Sequence, residues 1–383
     1  MAIQDSFRKQ NGVVYTPSLL ADHLAHKVMD FYLSTENEIN NRNDILKKLK
    51  ILDPSCGNGE LLAAIWRSIT RASSQKNGDK SVFPNPQNIL YGVDIDYEAI
   101  ENTQNQINLL LGNAVINNQG NVFHGNALMP SDELKFFEAW RIIKSKFGAS
   151  DGFDIIIANP PWGADISQYK AKLDRSVYSL LQRQFDSSDL FVELSMQLLK
   201  PNGMMAFIIP DSIFARDKIL LREFLLTKTE MLYLARLGEG FFPEVSRGCV
   251  LLIARKNTPS NATKVECLRL QPEIRQEILN NEFTFEKAEN LFSYSIPQSR
   301  FITNPGHIFD IDISFEEENL INKIGTPNSL MDDFLDSYRG VEISKKEATI
   351  KCTFCNEWMP FPKPDNKFCK KCGKELKIKK KTI

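Results

Sequence analysis

Asn159-Pro160-Pro161-Trp162 is the part of this chain best equipped for chemistry. Directly before it runs Phe153–Ala158 (FDIIIA), apolar and β-branched enough to predict a buried parallel strand. Two consecutive prolines cannot continue a strand ladder, so they fix a rigid turn at the strand's carboxyl end, where open α/β sheets bind ligands. The turn is expected to project an amide, a carbonyl held in a set direction by Pro160, and an exposed indole. The Asn159 amide oxygen and the Pro160 carbonyl can accept both N–H bonds of a planar amino group while Trp162 stacks on its face. Adenine carries such a group. The alternative is an ordinary strand exit that leaves a tryptophan on the surface.

A second cluster lies at residues 51–60 (ILDPSCGNGE), which predict a short strand, a small-residue turn and then a helix. Gly57 and Gly59 let the backbone approach a ligand closely. The turn lacks the Lys-Ser/Thr ending of a phosphate loop, and Asp53 at the strand tip suits an ammonium group better than a polyphosphate. Residues 89–94 (ILYGVD) read as the next strand. Its terminal carboxylate, Asp94, is placed to accept from both hydroxyls of a ribose.

Together these residues resemble the S-adenosylmethionine-dependent amino-methyltransferases of DNA in their adenine-specific form. Gly12-Val13-Val14-Tyr15-Thr16-Pro17 precedes the DPSCGNG turn and NPPW follows it, an order similar to the gamma group of N6-adenine DNA methyltransferases of bacterial restriction–modification systems. The resemblance runs on through Asp189-Leu190-Phe191-Val192-Glu193, Lys200-Pro201-Asn202-Gly203, residues 206–210 (AFIIP) and Gly240-Phe241-Phe242-Pro243. Single pieces of it are weak signals; their combination in this order is specific.

The resemblance implies an enzyme that moves a methyl group from S-adenosylmethionine to the N6 amino group of an adenine flipped out of double-stranded DNA. Tyr15, Thr16 and Pro17 would hold the methionine end of the cofactor, with Asp53, Pro54, Ser55, Cys56, Gly57 and Gly59 beneath it. Asp94 and the adjoining Ile95 would face the ribose. Asn126 and Ala127, within residues 124–128 (HGNAL), fall where the family usually has an aspartate for the cofactor adenine; an asparagine there still offers one acceptor. Asn159, Pro160, Pro161 and Trp162 would form the catalytic turn. Phe242 matches the aromatic that sandwiches the flipped base against Trp162, with the neighbouring Phe241 as competitor. Two other readings fit the same motifs: a methyltransferase of ribosomal RNA or of a protein glutamine, and a DNA-binding subunit of a modification complex.

Four of the seven cysteines lie near the C-terminus, Cys352 and Cys355 in one Cys-x-x-Cys knuckle and Cys369 and Cys372 in another. Two such knuckles suit a four-thiolate structural zinc, with no ligand place left for water. Cys249 and Cys267 are isolated and read as core thiols.

The elements that must position these residues follow from the apolar pattern. An amphipathic helix is expected over residues 17–33, helices over 97–111 and 189–199, a loop over 71–87, and strands at 204–209, 231–237 and Cys249–Arg255. This is a doubly wound, mostly parallel α/β sheet with an antiparallel last strand. The expected division is a catalytic domain over 1–256, a linker or start of a target-recognition region over 257–340 with an acidic helix at Phe315–Ile324, and a zinc ribbon with a basic tail over 341–383. Recognition of a DNA sequence is then minimal, truncated, or supplied by a separate specificity or restriction subunit. With 383 residues, 42% of them hydrophobic, the chain suits one large domain and an appendage. No run of about 18 apolar residues and no apolar leader core appears, so the expectation is a cytoplasmic protein without a membrane span. A net charge of −1 conceals the basic end.

Overall fold

The computed structural model describes residues 15–35, 42–74, 84–110, 120–182, 185–243, 245, 247–324, 349–360 and 368–376. Gly12-Val13-Val14, most of the 71–87 loop and the basic tail from Lys377 lie outside these described residues. The chain forms two compact units, Met1–Leu320 and Ile321–Ile383.

In the larger unit, helices alternate with the strands of one sheet. In chain order these are α1 (Ser18–Thr35), α2 (Arg42–Lys48), β1 (Ile51–Asp53), α3 (Glu60–Ser74), β2 (Leu90–Asp94), α4 (Tyr97–Leu110) and β3 (Val122–His124). Next come α5 (Phe136–Lys146), β4 (Phe153–Ala158), α6 (Ser187–Leu198), β5 (Leu199–Pro210), α7 (Ile219–Lys228), β6 (Glu230–Gly238) and β7 (Cys249–Arg255). The unit closes with β8 (Lys264–Arg269), α8 (Pro272–Leu279), α9 (Phe285–Phe292), β9 (Tyr294–Pro297), α10 (Gln298–Thr303) and the start of α11 (Phe315–Ile324). The strand order is β3-β2-β1-β4-β5-β7-β6-β8-β9.

Strands β3, β2, β1, β4 and β5 are mutually parallel, and β1 lies between β2 and β4. The order therefore reverses at β1, and the carboxyl ends of β1, β2 and β4 open onto one crevice, as a doubly wound sheet requires. The central strands are apolar on both faces because helices cover both. Ile155 and Ile157 of β4 join one core with α1 and α3, whereas Ile156 and Ala158 join the other with α6. Leu20, Ala21, Leu24, Ala25 and Val28 give α1 the buried stripe that the sequence pattern predicts.

Two features depart from the sequence-based expectation. Cys249–Arg255 is antiparallel as expected, but it does not close the sheet: β7 is inserted between β5 and β6 and runs antiparallel to both. A tight β6–β7 connection puts β7 beside β6, but which edge it fills depends on long-range pairing. The sheet also continues beyond residue 256. β8 pairs parallel with β6 and β9 antiparallel with β8, so residues 264–269 and 294–297 of the expected linker region add two strands to the sheet. The burial of β8 alternates about Val265 and Cys267, and Cys249 and Cys267 are fully buried as expected of core thiols.

Candidate active site and metal centre

The glycine turn after β1 is built by local bonds that shape a concave backbone. Gly57 and Gly59 have φ of +50° and +82°, in the left-handed region open chiefly to glycine. Thr103 of α4 donates to the Gly57 carbonyl at 2.7 Å, and the Gly57 N–H donates to Asp94 Oδ2 at 2.9 Å. The ends of β1 and β2 are thereby tied together. A Cβ on Gly57 would meet no protein atom within 4 Å, whereas one on Gly59 would press on Thr103 at 3.2 Å. Only Gly57 faces a cavity; Gly59 serves the packing of the turn on α4.

That cavity, of about 210 Å³, is lined by Tyr15, Thr16, Asp53, Pro54, Ser55, Cys56, Gly57, Asp94, Ile95, Asn126, Ala127, Asn159 and Pro161 among others. Residues distant in sequence thus share one wall system. Pro17 and Gly59 do not line it; the Pro17 carbonyl instead accepts from Leu20 and Ala21 and starts α1.

Electrostatics in the cavity favour a cation. Asp53 is almost completely buried, and burial pushes its carboxyl up to about 8, only partly offset by the Ser55 N–H that donates to Oδ1 at 3.0 Å. Burial also raises Asp94, against the pull of the Asp96, Gly57 and Ile95 N–H groups. The Cys56 thiol is driven upward by burial and by both carboxylates, which leaves it a packing group rather than a nucleophile.

On the opposite side, Asn159 Nδ2 donates to Thr16 Oγ1 at 3.1 Å. This bond turns the amide nitrogen toward the N-terminal segment and so fixes the carboxamide's orientation. The Pro-Pro turn is clamped from α6: Ser187 Oγ donates to the Pro161 carbonyl at 2.6 Å, and Asp186 Oδ1 accepts from Gly163 N at 2.9 Å. Asp186 is also the N-cap of α6 in a reciprocal capping box with Asp189.

The aromatic pair is arranged differently from the sequence-based expectation. Trp162 is 8% and Phe242 2% exposed, and their rings meet edge to face at 5.1 Å and 74°. The turn folds the indole back beneath β5, where Nε1 donates to the Ile208 carbonyl at 3.4 Å. The indole is therefore not exposed, and neither ring lines the cavity. Phe241 stacks on Phe285 instead, so of the two phenylalanines only Phe242 meets Trp162.

Several cavity residues escaped sequence reasoning. Phe191 reads in the sequence as one apolar position of the DLFVE helix; Ser187 is recognisable only as the residue after an N-cap. Tyr169, which hydrogen-bonds to the Asn126 side chain, sits in an irregular segment without a pattern. Asn126 Oδ1 in turn accepts from Leu128 N at 3.0 Å. The acidic members of the DLFVE motif are structural: Asp189 pairs with buried Lys218 at 2.5 Å, and Glu193 binds Ser179 and Leu180 N–H groups.

In the smaller unit, β10 (Thr349–Lys351) pairs antiparallel with β11 (Trp358–Pro360), and the four expected cysteine sulfurs lie within 4.8 Å of one another. Sγ separations of 3.7 Å (Cys352–Cys372) and 3.6 Å (Cys355–Cys369) match the edge of about 3.8 Å expected for thiolates about 2.3 Å from a tetrahedral zinc. The knuckles repeat one turn. Asn356 N donates to Cys352 O and Gly373 N to Cys369 O, with φ of +60° and +69° at Asn356 and Gly373. The asparagine performs in the first knuckle what the glycine performs in the second. N–H groups of the knuckles lower the Cys352 and Cys369 thiols, while burial and the neighbouring sulfurs raise Cys355.

Residues 88–242 match the family described as Eco57I restriction-modification methylase. The chain is 28% identical over 246 residues to the type II methyltransferase M.BanIII of Aneurinibacillus aneurinilyticus, covering 61% of this chain and 36% of that protein. It is also 28% identical over 218 residues to the type II methyltransferase M.VspI of Vibrio sp. (strain 343), covering 56% and 40%. The chain thus spans about two fifths or less of the length of these relatives. Among solved structures, the fold is similar to a nuclease-deletion mutant of the type ISP restriction-modification enzyme LlaGI, in complex with a DNA substrate mimic (TM-score 0.56, 14% identity, 80% of this chain and 32% of that one). It is likewise similar to a type I restriction-modification methyltransferase subunit of Streptococcus thermophilus (TM-score 0.50, 16% identity, 77% and 58%). The sheet is the α/β fold of these methyltransferases. No helix among the described residues is long and apolar enough to cross a membrane.

Proposed function

We propose, with the restriction-modification methylase match as premise, that this chain is an S-adenosylmethionine-dependent DNA methyltransferase acting on the N6 amino group of adenine in double-stranded DNA. The observation that carries the reading is the convergence of Asp53, Asp94, Gly57 and Asn159 on one cavity. S-adenosylmethionine would supply an electrophilic methyl group on a sulfonium. The cavity fits it: Gly57 leaves room a Cβ would fill, and buried Asp53 requires a cation to remain ionised at neutral pH. Asp53 and the 54–57 backbone would hold the methionine end, Asp94 the ribose, and Asn126 with Tyr169 the adenine ring.

The acceptor nitrogen would be oriented by the Asn159 amide oxygen and the Pro160 carbonyl, which accept hydrogen bonds from its two N–H groups and direct its lone pair. No covalent enzyme intermediate is required, so rate comes from positioning and fixed dipoles. An adenine stacked in a duplex cannot present that nitrogen to the cavity, so the base must be extruded. Stacking it between Trp162 and Phe242 would require ring planes about 7 Å apart, twice a van der Waals contact. These rings must separate first.

Cys352, Cys355, Cys369 and Cys372 would hold one structural zinc, leaving no position for a metal-bound water. Metal analysis of the full chain should give one zinc per chain, lost in the Cys369→Ser/Cys372→Ser variant. Four titratable C-terminal thiols without metal would reject the site. Recognition of a DNA sequence is assigned to residues beyond β9 or to a separate specificity subunit.

The methylation reading is tested on DNA from cells expressing the chain, digested to nucleosides. N6-methyladenine should appear with the wild type and fall sharply with Asn159→Ala. Methyl groups found in RNA or on protein glutamine, and never in DNA adenine, would replace the reading by one of its rivals.

A further inference from the structure

The zinc-binding reading leaves the outer surface of the smaller unit unexplained. Its described interior consists of little more than Cys352, Cys369, Met359 and Leu376. Three large aromatics stay outside that interior: Phe354 at 50%, Trp358 at 64% and Phe368 at 56% exposure. A lobe this small gains nothing in folding from leaving three rings in water, so the surface calls for a partner.

The charges around the rings indicate its chemistry. Lys351 and Trp358 are cross-strand neighbours, with the ammonium 5.8 Å from the indole centroid. Lys374 reaches from the second knuckle to 4.7 Å from the Phe354 ring. Lys370 is exposed, and Lys371 pairs with Glu357. Among the described residues of the unit, Lys351, Lys370, Lys371 and Lys374 face only two acidic side chains, Glu357 and Glu375. A ring with an ammonium beside it offers a base a stacking face and the adjoining phosphate a counter-charge. An apolar protein partner would have no use for the lysines. An acidic peptide would have little use for three rings. Duplex DNA would meet the lysines but has no free base faces to stack.

We propose that this ribbon surface binds an unpaired segment of DNA, with bases stacked on Trp358 and Phe354 and phosphates on Lys351, Lys370 and Lys374. The stacking surface does not depend on methyl transfer, whereas the choice of DNA over RNA rests on the function proposed above.

The full chain permits a selective test. Trp66, Trp140 and Trp162 are 7%, 1% and 8% exposed, so iodide-quenchable tryptophan fluorescence reports on Trp358. The probe is an oligothymidylate, which contains no adenine and cannot serve as methyl acceptor. Binding should shield Trp358 from iodide, and Trp358→Leu should weaken affinity about 5-fold to 150-fold while Trp358→Phe retains most of it. Lys374→Gln should flatten the salt dependence by about 0.7 in log–log slope for the lost phosphate contact. Zinc content measured on each variant separates a lost contact from a lost ribbon. If Trp358→Leu loses metal, shielding of the wild-type Trp358 from iodide by the oligomer still decides the question. The proposal is overturned if iodide access to Trp358 is unchanged by the oligomer. It is equally overturned if only the lysine variants matter, as duplex-type phosphate contact would give, or if an oligouridylate RNA binds about tenfold more tightly.

Discussion

The two halves of the crevice in the larger unit differ in readiness. On the proposed cofactor side, the Gly57 turn is bonded to Asp94 at the end of β2 and to Thr103 of α4, Asp53 accepts from Ser55 N, and a cavity adjoins them. On the proposed target side, Asn159 is tied to Thr16, but Trp162 and Phe242 pack edge to face and leave no room for a base between them. One half is preorganised polar backbone; the other is an apolar pair that must part. Under the proposed function, the cost of base capture falls on the opening of two packed rings, a cost that cofactor binding does not bear.

The largest effect expected from this contrast is on stability. Because the Trp162 indole is buried against Phe242, Trp162→Ala should lower unfolding free energy by about 3–5 kcal/mol in denaturant titrations. A change below about 1 kcal/mol would mean that the ring is free in solution and the target side already open.

Asn159→Ala should reduce methyl transfer about 100-fold to 1,000-fold in single-turnover assays with cofactor saturating, by analogy with removal of one preorganised polar contact. Cofactor affinity should survive, although the bond to Thr16 is lost. Equal losses in both quantities would show that the two halves are mechanically one.

A smaller effect is expected at Asp94. Asp94→Ala removes an acceptor that also anchors Gly57, and should weaken cofactor binding about 10-fold to 100-fold by calorimetry. An unchanged affinity would remove Asp94 from the ribose.

What could be read in the sequence followed the same division. The DPSCGNG turn, the Asp94 strand end and the Pro-Pro turn depend on glycine, proline and carboxylate at fixed local offsets, and they converge as their spacing implies. The two Cys-x-x-Cys knuckles were legible for the same reason. The burial of Trp162 was not, because it depends on a hydrogen bond to Ile208 and an edge contact with Phe242, both remote in sequence. Insertion of β7 between β5 and β6 is likewise a matter of long-range register. β8 has a two-residue burial alternation, but over six residues beside polar turns it gives a weak signal. Tyr169 joins the cavity from an irregular segment, where periodicity has nothing to report.

The most direct test of the preformed cofactor side is calorimetric titration of S-adenosylhomocysteine into the full chain, without DNA, from pH 6 to 9. This ligand keeps the ammonium group and lacks the sulfonium. In the empty cavity Asp53 holds its proton up to about pH 8, and a bound cation favours the carboxylate, so binding must release a proton below that pH. The account predicts one-to-one binding whose affinity rises up to about tenfold per pH unit from 6 to 8 and levels off above, with proton release seen in buffers of different ionisation enthalpy. Absence of binding without DNA, or a pH-independent affinity with no proton released, would contradict it.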